Sequence, residues 1–333
     1  TPAHRVLVRE LPRALASRAR NRLGSEVYAL VSKYRLLDER TKVDLDRLTT
    51  REGLYFYVIV VPSVLHFLIP AMRLIRQHAR IVFVLNGVAG IERKTLEKAF
   101  PGIPTLAVWT LPGTSWPHGD LLSLLLRISE RDFGICDHDF FLFDPAVLAQ
   151  LELGEKEFAV CITSWRNKLT GIEFPGTHFL YMRATTIRQV MARYGVGAQL
   201  YRRIPASVRP ILEDMGLSCA NPPKEYQSCF DSFLLISSLA IHDGLKIRKA
   251  TVSPRDWTQV GGTSIGVQIT KSPAHHYATC RFLERLSDPV LLQLYERRGM
   301  VSSDRASRLR AALDSTTARR IDELIARLEA TGQ

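Results

Sequence analysis

Twenty consecutive residues, Gly53 to Met72, carry no formal charge. A run of that kind must be buried, either across a membrane or inside a core. Its length suits a transmembrane helix, but its composition does not. Leu54 to Val61 (L-Y-F-Y-V-I-V-V) is aromatic and β-branched, which favours a strand. Pro62-Ser63 then breaks the run, and Pro70 falls where a helix makes its first turn. The pattern predicts a buried strand, a loop and a helix from about Phe67 to His78.

The same alternation continues. Residues 80 to 88 (R-I-V-F-V-L-N-G-V) read as a second buried strand ending at Asn86-Gly87, Glu92 to Phe100 as a short helix, and Leu106 to Leu111 as a third strand. Trp116-Pro117-His118-Gly119-Asp120 opens a helix from Leu121 to Ile128, whose first amides suit an anion. Phe133 to Pro145 (F-G-I-C-D-H-D-F-F-L-F-D-P) gives another strand. Alternating strands and helices of this kind make an α/β fold with a largely parallel sheet. In such sheets ligands sit beyond the carboxyl ends of the strands. Pro62-Ser63, Asn86-Gly87 and Asp137-His138-Asp139 all fall at such ends.

Asp137 and Asp139 are two apart. On an extended strand residues i and i+2 point to the same face, which sets both carboxylates toward one site. Hard divalent cations take oxygen ligands of this type together with phosphates and water. The alternative is a solvated turn, since Asp is common where strands end. His138, between them, is expected on the opposite face, packed rather than ligating.

The second half is less regular. Phe158 to Thr163 and Thr177 to Met182 read as strands, Thr185 to Tyr194 as a helix, Asn221-Pro222-Pro223 as a break, and Tyr226 to His242 as a long apolar helix enclosing Asp231. Trp257 to Ser264 reads as loop. Its Gly261-Gly262-Thr263-Ser264 is either an anion-cradling turn or an ordinary loop. Trp257 and Tyr226 either pack in the core or stack on the ring of a ligand. In the tail, Ile321, Leu324, Ile325 and Leu328 form one apolar stripe, read as core or as contact with a second copy of the chain. The expected division is a basic helical extension over 1–52, an α/β domain over 53–270 (with halves 53–145 and 146–270) and a helical region over 271–333.

The formal net charge of +12 suits an anionic partner such as a nucleotide, a phosphosugar or an acidic membrane. Arginines crowd the first residues (Arg5, Arg9, Arg13, Arg18, Arg20, Arg22), so residues 1 to 40 are expected either to be solvated or to touch an anionic membrane. Leu11, Ala14, Leu15 and Arg18 share one helical face there, and Val27, Leu30, Val31 and Tyr34 another. Nucleic-acid binding would interleave basic and aromatic residues on one face. The basic residues instead concentrate at the N-terminus and in the tail, so no nucleic acid is expected. Five cysteines without a C-x-x-C argue against a disulfide framework and for a reducing, cytoplasmic setting.

V-I-V-V-P-S (Val58 to Ser63), R-I-V-F-V-L-N-G (Arg80 to Gly87), His118-Gly119 before a helix and I-C-D-H-D-F (Ile135 to Phe140) together resemble the GT-A glycosyltransferases, most closely the family 2-like nucleotide-sugar enzymes. The order and spacing of these segments carry the resemblance over about residues 55 to 145, and more weakly to about 270. It implies a Rossmann-like, mostly parallel sheet flanked by helices, and a UDP-sugar donor, with a GDP-sugar as the other option. It implies Mn²⁺ or Mg²⁺ on Asp139, with Asp137 beside it on the donor sugar or ribose, and a late metal-ligating His for which His275 and His276 are the candidates. Pro62, Ser63, Asn86, His118, Gly119, Asp137 and His138 become the donor-site candidates. Asp231, in C-F-D-S-F, matches the inverting members' carboxylate base, although its partner acid is Phe230 here. The acceptor, a glycan or small molecule, is left open. An alternative is a haloacid-dehalogenase-like phosphatase, but that motif wants Thr or Val where Phe141 stands. A nucleotidyltransferase would need a Gly-rich, Arg-containing loop after the first strand, where Pro62-Ser63-Val64-Leu65 stands instead.

Overall fold

The computed structural model describes residues 23–49, 52–223, 230–261, 273–300, 307, 309–311 and 313–331. Its centre is a mixed, mostly parallel sheet of seven strands flanked by helices. In chain order the strands are β1 (Tyr55–Val60), β2 (Arg80–Leu85), β3 (Thr105–Ala107), β4 (Phe133–Cys136), β5 (Phe140–Leu142), β6 (Glu157–Cys161), β7 (Ser164–Arg166), β8 (Glu173–Pro175), β9 (Phe179–Met182), β10 (Lys246–Lys249) and β11 (Trp257–Gln259). The central order is β10-β6-β9-β4-β1-β2-β3. Within it β9 alone is antiparallel to its neighbours. From β1 the chain builds outward through β2 and β3, then returns to lay β4 on the other side of β1. The order therefore reverses between β1 and β4, the crevice where such sheets bind ligands.

Alternation along β1 explains why the sheet is buried on both faces. Tyr55, Tyr57 and Ile59 enter one apolar cluster, and Phe56, Val58 and Val60 the other. The uncharged run is thus a buried strand followed by a helix, and among the described residues no helix is long and apolar enough to cross a membrane.

The helices are α1 (23–33), α2 (Asp38–Leu48), α3 (Leu65–Ile75), α4 (Gly90–Ala99), α5 (His118–Ile128), α6 (Ala184–Tyr194), α7 (Arg209–Asp214), α8 (Leu234–His242), α9 (Pro273–Leu283) and α10 (Pro289–Arg297), with a last helix over Ser315–Ala330. Pro70 lies inside α3 rather than at its start, because the helix begins at Leu65. In the last helix Leu324, Ile325 and Leu328 are buried in the same cluster as Phe56, so the apolar stripe is core.

Three sequence expectations need correction. The face chosen for α1 is largely exposed: Leu30 and Tyr34 face solvent, while Gly24 and Tyr28 are buried. Arg127 forks onto Asp38 at 2.7 and 3.0 Å and ties α2 to α5. The expected Tyr226–His242 helix begins only at Leu234, so Asp231 precedes it; Tyr226 lies outside the described residues. Among the described cysteines, Cys136, Cys161 and Cys280 carry no disulfide, but Cys219 is disulfide-bonded.

Candidate active site

At the carboxyl end of β1 the chain turns through Pro62 and Ser63. Ser63 has φ +70°, a conformation that non-glycine residues rarely adopt. Its amide donates to Glu92 at 2.6 Å, and its hydroxyl accepts from Arg298 at 2.6 Å. Glu92 is fully buried, pairs with Arg298 at 3.0 Å, and accepts from the Tyr295 hydroxyl and the Ala89 amide. A buried carboxylate is tolerable only when so supplied. The network fixes the β1 loop against α4 and the segment after α10.

At the end of β2, Asn86 is buried and holds both backbone groups of Trp116: its amide oxygen accepts Trp116 N at 2.7 Å and its amide nitrogen donates to Trp116 O at 3.0 Å. A Cβ on Gly87 would lie 2.2 Å from Thr114 O, so only glycine allows this approach. Tyr28 of α1 stacks on Trp116 at 4.8 Å and shares a 2.5 Å hydrogen bond with Thr114. Asn86 thereby holds the loop that delivers His118 to the start of α5.

β4 ends at Cys136, and residues 137–139 turn instead of extending. The amide of Phe140 donates to Asp137 O at 3.2 Å. Asp137 and Asp139 are therefore not alternate residues on one strand face, because β4 stops one residue before the first of them. The turn still sets both Asp137 and Asp139 at the switch point. Asp139 is buried and accepts the Gly261 amide at 2.8 Å; Asp137 is half-buried and accepts from Gln259 at 3.3 Å. Burial, and then these two carboxylates, push the Cys136 thiol well up, so it stays protonated. Gly261 belongs to the turn weighed as an anion cradle; its amide is directed at Asp139, and residues 262–264 lie outside the described residues.

His118, Gly119 and Asp231 converge at the start of α5. A Cβ on Gly119 would lie 2.4 Å from Ala198 O and 2.8 Å from Ser232 Oγ, so the segment entering α8 sits directly on the helix start. Burial lowers the His118 imidazole, the Asp231 charge opposes that shift and His138 adds to it. His138 is buried, as its position between two acids predicts. Phe233, at φ +71°, makes the turn that starts α8 and leaves Asp231 at the helix entrance. Asp120, which sequence reasoning passed over, is pushed up to about 6 by burial. A carboxylate in the first turn of a glycine-bearing helix was the available signal.

His275 and His276 lie in α9. The His275 ring is buried, with Nδ1 3.4 Å from Gly261 O and Nε2 3.3 Å from Thr279 Oγ1; His276 lies 6.0 Å from it. Among the described residues no group of three or more His, Cys, Asp or Glu is placed to hold a metal. Asp137, Asp139 and His276 thus do not form a closed cage. Two carboxylates alone fit a hard cation that brings its remaining ligands with a phosphate-bearing molecule.

Residues 39–187 match the family model described as the StrH glycosyltransferase N-terminal domain. Among solved structures the chain is similar to the apo glycosyltransferase GlyE of Streptococcus pneumoniae TIGR4, at 13% identity and a TM-score of 0.31 over 49% of this chain and 43% of that one. It is similar to 4-diphosphocytidyl-2C-methyl-D-erythritol synthase at 12% identity and TM-score 0.32, over 62% of this chain and 95% of that one. It is similar to the bifunctional glycosyltransferase WbbM at 9% and 0.38, over 74% and 52%. The chain spans less than two thirds of that GlyE chain and of the WbbM chain. Structural likenesses this slight carry no argument about activity. No curated protein matches the chain.

Proposed function

We propose that the chain, whose residues 39–187 match a glycosyltransferase family model, moves a sugar from a nucleotide-sugar donor, UDP-linked before GDP-linked, to an acceptor hydroxyl with inversion. The observation that carries this reading is the gathering of Asp137 and Asp139 at the end of β4, at the β1/β4 switch point, together with Asp231 beside His118 at the start of α5. The donor lies across the ends of β1 and β4, against Pro62 and Ser63, with Asp137 on its sugar or ribose. His118 and Gly119 present the first amides of α5 to its phosphates.

Asp231 takes the proton of the acceptor hydroxyl as that oxygen bonds to the donor's anomeric carbon. The bond from that carbon to the diphosphate oxygen breaks, and the nucleoside diphosphate leaves with the electron pair. Burial keeps the His118 imidazole neutral, so it meets the phosphates as a hydrogen-bonding group. Asp139 and Asp137 would hold Mn²⁺ or Mg²⁺ entering with the donor, and the cation would offset the charge of the departing diphosphate.

The reading places the chain in the cytoplasm, although the Cys219 disulfide weighs against a reducing compartment. It also sets residues 1 to 40 on an anionic membrane, through exposed Leu23, Leu30, Tyr34 and Leu36 beside Lys33 and Arg35. Sedimentation with phosphatidylserine vesicles but not phosphatidylcholine vesicles tests that contact.

Calorimetric titration of UDP and GDP, with and without Mn²⁺, into wild type and Asp139→Ala tests the central claim. Metal-dependent binding of one nucleotide, lost in the variant, is expected. Failure of both nucleotides to bind with metal present would sink it.

A further inference from the structure

We propose that the indoles of Trp165 and Trp257, set around His178 beside Asp137, form the acceptor subsite, and that the acceptor it takes is a saccharide. The proposal rests on the transferase reading for the word acceptor, and on separate observations for the subsite.

The placement follows from the sheet. β6 and β4 are both antiparallel to β9, so they run the same way. The β7–β8 hairpin that follows β6 therefore leaves the sheet at the edge where β4 delivers Asp137. Trp165 sits in the middle of β7, paired with Phe174. Its ring meets His178 edge-on, at 6.3 Å and 82°. Trp257 comes from β11, which pairs with β5, and lies nearly parallel to His178 at 5.9 Å and to Phe140 at 5.5 Å. His178 is buried, and Thr163 Oγ1 fixes its Nε2 at 2.7 Å.

This aromatic group is tied to Asp137 at two points. The Asp137 amide donates to His178 O at 2.8 Å, and Gln259, two residues past Trp257, donates to the Asp137 carboxylate. Its members divide by burial. Phe140 is wholly enclosed, whereas both indoles keep part of their surface in solvent. Trp257 packs against the same core as Phe140 with part of its indole still open to solvent.

A pyranose offers C–H groups on one face and hydroxyls around its rim. The electron-rich face of an indole suits the first, and the side-chain amide of Gln259, beside the donor-side Asp137, suits the second. Binding sites of this type combine apolar walls with a few placed polar groups. A lipid or an apolar peptide would leave that polar rim without use.

The test uses the full chain and the methyl glycosides of glucose, galactose and N-acetylglucosamine. Binding is followed by tryptophan fluorescence and by calorimetry in wild type, Trp165→Ala, Trp165→Phe and Trp109→Ala, with nucleotide titration of the same samples. Trp109 is exposed and stands on the Tyr28 cluster, so it serves as the control. At least one glycoside should bind wild type. Its affinity should fall about tenfold in Trp165→Ala, largely survive in Trp165→Phe and stay unchanged in Trp109→Ala. The subsite is overturned if no glycoside binds wild type, or if Trp165→Ala binds as wild type does. Glycoside binding that depends on Trp165 in a chain that binds no nucleotide keeps the subsite and removes the transferase. Nucleotide binding without any glycoside binding does the reverse.

Discussion

Two carboxylate clusters stand at the same edge of one sheet and are held in opposite ways. Beyond β1, Glu92 is fully buried and meets the Arg298 guanidinium at 3.0 Å. Beyond β4, Asp139 takes the backbone amide of Gly261 and Asp137 the side-chain amide of Gln259. A guanidinium cancels the charge it binds, whereas neutral amides orient a carboxylate without cancelling it. The first arrangement uses a charge to fix a loop; the second holds carboxylates in place for a charged ligand. Two substitutions separate these uses.

Asp139→Asn should affect chemistry far more than folding. The asparagine oxygen can still accept the Gly261 amide, so unfolding in urea should shift by less than about 1 kcal/mol. Transfer, or metal-dependent nucleotide binding, should fall about a hundredfold or more, as when one charge-stabilising group is removed from a site. A large stability loss with activity kept would mean that Asp139 only closes its turn.

Arg298→Ala should do the opposite. It leaves Glu92 buried without its cation, and because Arg298 is itself 30% exposed the cost should be about 2–3 kcal/mol, at the low end for a broken buried pair. Adding Glu92→Gln should restore part of that loss. Equal stability of the single and double variants would show that the ion pair does not hold the loop.

The contrast also marks what the sequence can disclose. The uncharged Gly53–Met72 run and the alternation after it specify a buried parallel sheet, because burial of both faces demands unbroken apolar strands. Asp137 and Asp139 stand out because two carboxylates after an apolar strand are costly without a use. Their geometry was not legible: whether β4 runs through them depends on β11, which pairs with β5 from more than a hundred residues away. Asn86 read as a ligand contact, yet its amide holds the Trp116 backbone. Arg298 gave no local signal, since its meaning comes from Glu92, 206 positions earlier in the chain. The Asp231 position was visible, but its helix start depends on the strained turn at Phe233.

A smaller effect comes from Asp120, at the start of α5. Burial holds its carboxyl at about 6 against an ordinary value of 3.8. The folded chain thus binds this proton more tightly than the unfolded chain. The resulting stability is fully present below about pH 3.8 and is lost as pH rises through about 6. Asp120→Asn should remove that dependence. At pH 7.5 the variant should be more stable than wild type by about 1–2 kcal/mol, discounted for partial exposure. Parallel pH profiles of the two proteins would show instead that solvent reaches the carboxylate.

The smallest expected effect asks whether strain at the β1 loop serves the clamp. Ser63 and Arg35 both have left-handed backbone, at φ +70° and +54°. For a non-glycine residue that conformation costs about 1–2 kcal/mol, and glycine removes the cost while adding unfolded-chain entropy of about 0.4–1 kcal/mol. Arg35 is exposed and lies between α1 and α2, so Arg35→Gly should gain about 0.5 kcal/mol. Ser63→Gly gains the same relief but loses the hydroxyl that accepts from Arg298, a bond to a charged donor worth about 1.5–3 kcal/mol. It should therefore be destabilising by about 1 kcal/mol. If chemical denaturation gives the two glycine variants the same gain, the Ser63 hydroxyl contributes nothing to the clamp. Glu92 and Arg298 would then hold the loop through the Ser63 amide alone.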